Sequence, residues 1–291
     1  RYDMDFSETG HWYDGYRFRK IRHIYNPRSV VAAMQNRVLS NYWTKTETFE
    51  ALKIYMDMDF DGLRADIVRM LGGEQVKVNT LNFRNDMRNL ESRDDVLTLL
   101  IHLGYLGYDC EREEAFIPNK EIVREFENAM SAGGWAEVMR VLKASEKLLE
   151  DTLRGDEKSV AEGLDRAHTE VSSILTYNDE NSLGCAIGLA YYSARKDYRI
   201  IREMPTGRGF ADVVFLPLPH TDRPAFVVEL KYDKTAETAI QQIKDRKYTQ
   251  ALEGYAGEIL LVGINYDKEK KEHDCVIERA EKTTRETAKM S

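Results

Sequence analysis

Gly209-Phe210-Ala211-Asp212-Val213-Val214-Phe215, a turn punctuated by Pro219 and Pro224, and then Phe226-Val227-Val228-Glu229-Leu230-Lys231 read as two successive apolar strands. An aspartate, a glutamate and a lysine sit among residues that ought to be buried. Strand side chains alternate faces, so Glu229 and Lys231 project the same way while Val228 and Leu230 project the other. With Asp212 on the preceding strand, two acids and an ammonium converge on one spot. Charges on strands this apolar are costly unless they pair or hold a metal. A lone Glu-x-Lys triplet is common as a solvated ion pair. The acid on the preceding strand and the apolar flanks of both strands set this one apart.

Outward from this pair, helix and strand alternate. A helix is expected at 182–196, strands at 198–204, 211–216 and 226–232, a helix at 235–255, and strands at 258–266 and 274–278. The prolines between the charged strands suit an antiparallel hairpin, and the helix after them suits a crossover. The expectation for 176–280 is a mixed α/β domain with a helix at each side of its sheet, followed by a fraying tail at 281–291. Upstream, residues 131–175 spell two charged helices, the first striped by Val138, Val141, Leu142, Leu148 and Leu149 and ended at Gly155-Asp156. They read as a helical connector. Residues 1–130 read as a helical unit, a small bundle or winged-helix-like. Its helices fall at 30–39, with Ser29 as N-cap, and at 48–56, 63–71, 94–105 and 121–130.

A chain of 291 residues exceeds what one core usually serves, and two compact units are expected. With 42% hydrophobic and 32% charged residues and no long apolar run, the composition is that of a soluble globular protein with no membrane segment. The first residue is Arg1, without a signal pattern, as in a piece of a longer protein. Cys110, Cys185 and Cys275 are too few and too scattered for a disulfide framework or a zinc site, and they fit a reducing cytoplasm. The six histidines show no metal spacing, and no serine or cysteine sits in a nucleophile elbow. A net charge of −8 weighs against a nucleic-acid partner, since affinity for phosphates comes from Lys and Arg. It is unevenly spread: residues 176–291 hold 18 Lys and Arg against 19 Asp and Glu, which leaves −7 for residues 1–175. A divalent cation on the site acids would make the C-terminal unit locally neutral or basic.

Phosphodiester hydrolysis at neutral pH needs an activated water, shielding of the phosphate and help for the leaving oxygen, all of which a divalent metal supplies. Magnesium is held by one or two carboxylates plus substrate phosphate, so Asp212 and Glu229 suffice as a pair. Lys231 beside them would orient the water or stabilise charge on the phosphorus. Asp212 followed by Glu229-Leu230-Lys231 on the next strand resembles the PD-(D/E)XK nuclease superfamily, whose fold is restriction-endonuclease-like. The resemblance covers roughly residues 176–280. It implies a Mg- or Mn-dependent nuclease acting on DNA, with Asp212, Glu229 and the carbonyl of Leu230 on the metal. It also implies that Glu180, or the neighbouring Asp179, is the helix acid that polarises a water. Gln242 and Tyr248, in Ala239-Ile240-Gln241-Gln242-Ile243-Lys244-Asp245-Arg246-Lys247-Tyr248, resemble the following helix of a bacterial AAA-ATPase-associated branch. There Gln242 would steady a carboxylate or a substrate phosphate. Lys244, Arg246 and Lys247 form either a solvated helix face or a track for a phosphate backbone.

The N-terminal unit carries a second likeness. Trp12-Tyr13-Asp14-Gly15-Tyr16-Arg17-Phe18, Ile24-Tyr25-Asn26-Pro27-Arg28-Ser29-Val30, Asn41-Tyr42-Trp43, Gly104-Tyr105-Leu106 and Ile117-Pro118-Asn119-Lys120-Glu121 resemble the region after the nucleotide-binding core of AAA-ATPase-like proteins that end in such a nuclease domain. No glycine is followed by lysine, so the phosphate-binding loop is absent and an ATPase core is expected upstream. Members of that branch often carry a basic residue just before the aspartate, where this chain has Phe210. Three alternatives remain open: an active nuclease, a catalytically silent module that binds nucleic acid or protein and regulates the ATPase, and a winged-helix DNA reader within 1–130. A monomer and an oligomer are both compatible with the pattern.

Overall fold

The structure, a computed structural model, describes residues 4–43, 49–58, 60–81, 83, 90–175, 180–206, 209–219, 221–246, 248, 252, 255 and 257–280, with the backbone alone at 49–51, 180–182, 206 and 209. Two compact units emerge, Arg1–Arg140 and Val141–Ser291.

The first unit runs α1 (Phe6–Tyr13), a ribbon of β1 (Tyr16–Phe18) and β2 (Ile21–Ile24), α2 (Pro27–Asn36), α3 (Phe49–Met56), α4 (Leu63–Leu71), β3 (Val76–Lys77), α5 (Arg93–His102), β4 (Gly107–Asp109), β5 (Glu114–Phe116) and α6 (Lys120–Ser131). The helices follow the apolar periodicity, but the N-cap of α2 is Asn26 and not Ser29. Its side chain accepts from the backbone N–H of Arg28 and Ser29, and Pro27 fills the first helical position, where a missing N–H costs nothing. The short strands were not expected, because two to four residues cannot display a period-two pattern. They build the β1–β2 ribbon and a three-stranded antiparallel sheet in the order β3-β5-β4. Gly15 has φ +127°, and a Cβ there would lie 2.0 Å from the carbonyl oxygen of Pro118. The Asp14-Gly15 turn is thus seated on the segment that leads into α6, and Lys120 and Arg124 cover Trp12.

The second unit takes up most of α7 (Ala136–Arg154) and continues with α8 (Glu157–Val171), α9 (Glu180–Ala190), a 3-10 turn at Tyr192–Lys196, β6 (Tyr198–Thr206), β7 (Gly209–Pro217), β8 (Ala225–Tyr232), α10 (Ala236–Asp245), β9 (Ile259–Asp267) and β10 (Glu272–Arg279). The five strands form one sheet in the order β10-β9-β8-β7-β6. All neighbours are antiparallel except β8 and β9, which α10 joins as a parallel crossover. This is the expected mixed sheet flanked by helices, consistent with a restriction-endonuclease-like fold. Central β8 is buried from Ala225 to Lys231, which explains its unbroken apolar run. On one face Val214, Val227 and Leu261 pack with Ile240 and Ile243 of α10 and with Tyr248. On the other, Phe215 stacks on Phe226 at 4.0 Å, with Tyr191 tilted against Phe215 and Tyr198 edge-on to Phe226.

The helices read as a connector pack with this sheet. Thr152 of α7 hydrogen-bonds the buried Tyr191 hydroxyl at 2.7 Å, and Asp165 of α8 accepts from the backbone N–H of His273 at 2.8 Å. The helix expected over 235–255 ends at Asp245. Beyond it Tyr248 turns its ring into the core and donates its hydroxyl to the Phe210 carbonyl at 2.6 Å, a contact with β7 that a continued helix would not make.

Candidate active site

Where β7 meets β8, regular pairing covers only Val213 with Val228, Val214 with Val227 and Phe215 with Phe226. Continued by one residue, that register sets Asp212 opposite Glu229, and here the ladder opens. Asp212 fills the gap: its Oδ2 accepts the backbone N–H of Leu230 at 2.7 Å. The β6–β7 ladder is interrupted at the same level. Arg202 pairs with Val213 and Met204 with Ala211, but Glu203, opposite Asp212, takes the left-handed φ of 48°. Such a backbone costs about 1–2 kcal/mol for a residue with a Cβ. Asp212 therefore lies where the ladders on both its sides give way.

Glu229 and Lys231 share a face as their spacing demands. Lys231 Nζ donates to Glu229 Oε1 at 2.8 Å and to the Leu230 carbonyl at 2.9 Å. Glu229 is 1% exposed and Lys231 6%. Gln242, on α10, donates through Nε2 to the same Glu229 Oε1 and to the Tyr248 hydroxyl at 3.3 Å. Its reach depends on Gly263, the parallel neighbour of Glu229 on β9. A Cβ at Gly263 would stand 2.4 Å from the Ala236 carbonyl oxygen, so only glycine lets the start of α10 come this close to the sheet. The start of α10 is also tied down by a part-buried network. Asp274 accepts from the N–H of Ala236 and from the side chain of Asn265, the strand neighbour of Lys231.

Glu229 Oε2 is buried and has no hydrogen-bond partner among the described residues. Burial raises the Glu229 pKa, the Asp212 carboxylate raises it further, and Lys231 and Arg246 only partly oppose them. Two carboxylates, one of them with an orphaned buried oxygen, and a backbone carbonyl make a hard oxygen donor set, which fits a divalent cation such as magnesium. Among the described residues no group of three or more His, Cys, Asp or Glu could hold a metal.

Of the other expected residues, Glu180 is the first residue of α9, but its side chain, like all of Asp179, lies outside the described residues. The basic cluster after Gln242 divides. Lys244 pairs with Glu278 on β10 at 2.6 Å, Arg246 places Nη1 3.3 Å from the Tyr248 hydroxyl, and Lys247 lies outside the described residues. Arg246 is exposed, and its charge is favoured by Tyr248 first and then by Glu229 and Asp212. The linkage of Phe210, Tyr248, Arg246 and Gln242 was missed in the sequence, whose only signal was Tyr248 as the aromatic residue ending the basic run.

Residues 179–275 match the family described as PD-(D/E)XK nuclease superfamily, and the chain carries a domain of that superfamily there. The match takes in Asp212, Glu229, Lys231 and Gln242. Nucleases of this superfamily generally use divalent metals. No curated protein matches the chain. No helix among the described residues is long and apolar enough to cross a membrane.

Proposed function

We propose that the second unit is a metal-dependent deoxyribonuclease, hydrolysing phosphodiester bonds of DNA with magnesium or manganese. The observation that carries this is Glu229 Oε2, a buried carboxylate oxygen left without a hydrogen-bond partner beside Asp212. Asp212, Glu229 and the Leu230 carbonyl would hold the cation, which supplies an activated nucleophile at neutral pH and neutralises charge on the phosphate. Lys231 has three N–H donors, of which two go to Glu229 and the Leu230 carbonyl. The third is left to orient the attacking water or to meet a phosphate oxygen. Gln242 is a positioning residue that fixes the rotamer of Glu229 and, through Tyr248, ties it to β7. Glu180, at the start of α9, is the candidate to polarise the water. The domain serves as the effector of an ATPase-linked bacterial protein of the cytoplasm, as its N-terminal likeness suggests.

Purified protein in magnesium or manganese should cut linear, supercoiled or single-stranded DNA. Asp212→Asn and Lys231→Ala should keep the fold and lose cleavage by at least about 100-fold. Either variant cutting a plasmid as fast as the parent would refute the assignment. Metal binding without cleavage would favour a silent binding module.

A further inference from the structure

We propose that Phe210 and Arg246 form a substrate lip, Phe210 stacking on an unpaired nucleobase and Arg246 holding the adjoining phosphate, so that the substrate is single-stranded or locally unpaired DNA. The inference rests on the nucleic-acid reading of the site and deepens it.

Phe210 is 59% exposed on a strand whose Ala211, Val213, Val214 and Phe215 are all buried. Full burial of such a ring is worth about 1.5–3 kcal/mol, much of which Phe210 forgoes two positions from Asp212. It precedes Asp212 by two positions on β7, next to the interruption of the ladder at Asp212. Its support is rigid. The Phe210 carbonyl is held by the Tyr248 hydroxyl at 2.6 Å, and Tyr248 is itself 1% exposed. The same hydroxyl lies 3.3 Å from Arg246 Nη1 and 3.3 Å from Gln242 Nε2, which reaches Glu229. One buried tyrosine thus links the backbone that carries an exposed ring, an exposed guanidinium and, through Gln242, a site carboxylate.

A ring and a cation whose residues meet at one tyrosine hydroxyl match the chemistry of one nucleotide. An aromatic face takes a base, and a planar guanidinium takes a phosphate with paired donors. Bases inside a duplex have both faces covered by their neighbours, and only an unstacked base can offer one to Phe210. Arg246 also brings positive charge near Glu229 and Asp212, whose carboxylates would otherwise repel a phosphate.

The test needs no cleavage. In metal-free buffer, a single-stranded oligo(dT) and a blunt two-strand duplex without a loop are titrated into the parent and the Phe210→Trp, Phe210→Ala and Arg246→Ala variants. Trp12, Trp43 and Trp135 give the parent a constant background, and all three lie before residue 141. Oligo(dT) should quench Phe210→Trp beyond that background. Phe210→Ala should weaken oligo(dT) binding about 10-fold and leave the duplex unaffected. Arg246→Ala should lower the salt slope by about one charge. Unchanged Phe210→Trp emission at saturating oligo(dT), parent-like affinity of Phe210→Ala, equal losses on both ligands, or no binding of oligo(dT) would each overturn the proposal. A protein that stacks the base but does not cut DNA keeps this inference and loses the nuclease. One that cuts with the same strand preference after Phe210→Ala keeps the nuclease and loses the lip.

Discussion

Glu229 is pulled two ways, by burial beside Asp212 toward the neutral acid and by Lys231 toward the anion. Burial is the larger effect, so its pKa stands above the ordinary 4.5. A carboxyl whose pKa is raised by folding favours the folded state below about pH 4.5, and that contribution is lost as pH rises through the raised value. Glu229→Gln should therefore flatten this part of the stability profile and raise the neutral-pH Tm of the metal-free protein, by about 2–4 °C for each kcal/mol gained. A variant whose Tm follows pH as the parent's does would show that Glu229 is not the strained group. The triad Asp212, Glu229 and Lys231 was legible in the sequence because charges on period-two apolar strands stand out. Gln242 was legible only through the family likeness, since an amide on a helix says nothing by itself. The bond from Tyr248 to the Phe210 carbonyl spans 38 positions and depends on where α10 stops, which no local pattern encodes.

At the scale of elements, the site exists because ladders end. The β7–β8 ladder ends at Val213 and Val228, and at the same level the β6–β7 ladder skips the Glu203–Asp212 pair before resuming at Met204 and Ala211, while β8 and β9 stay paired. The crossover α10 closes over β9 through the missing side chain of Gly263. Gly263→Ala places a Cβ against a backbone carbonyl that cannot rotate away, so α10 must shift, at about 1–3 kcal/mol. The expected result is a Tm lower by several degrees and a weaker hold of Gln242 on Glu229, read as reduced affinity for manganese. Parent-like melting would mean that α10 is positioned by something else, such as the Asn265–Asp274 network. The order of elements in the second unit was legible from alternating apolar strands and prolines. The end of α10 and the N-cap of α2 were not. The first depends on a tertiary contact of Tyr248, and for the second Asn26 and Ser29 are both good caps until Pro27 decides.

At the scale of the whole molecule, the second unit needs its first helices. Thr152 and Ser145 of α7 bond Tyr191 and Ser193, and α8 lies along β10 through Asp165 and Glu157. A fragment of residues 141–291 should accordingly melt cooperatively, whereas one beginning at residue 176 should lose that transition. Cooperative melting of the shorter fragment would show that α7 and α8 are dispensable. His168 of α8 reports the same seat. It packs edge-on to Tyr266 at 4.7 Å and to His273, and burial, then His273, pushes its pKa down to about 4 against the opposing pull of Asp165. A histidine kept neutral by folding stabilises above its ordinary value near 6.5, and this is lost as pH falls toward about 4. His168→Phe should reduce the fall in Tm across that window, and an unaltered profile would place the acid sensitivity elsewhere. The most direct test of the central claim, that Asp212 and Glu229 share one hard cation, is calorimetric titration of manganese into the parent and into Asp212→Asn. A single site with proton release in the parent, abolished in the variant, is the predicted result. Equal binding by both proteins, or none by the parent, would contradict it.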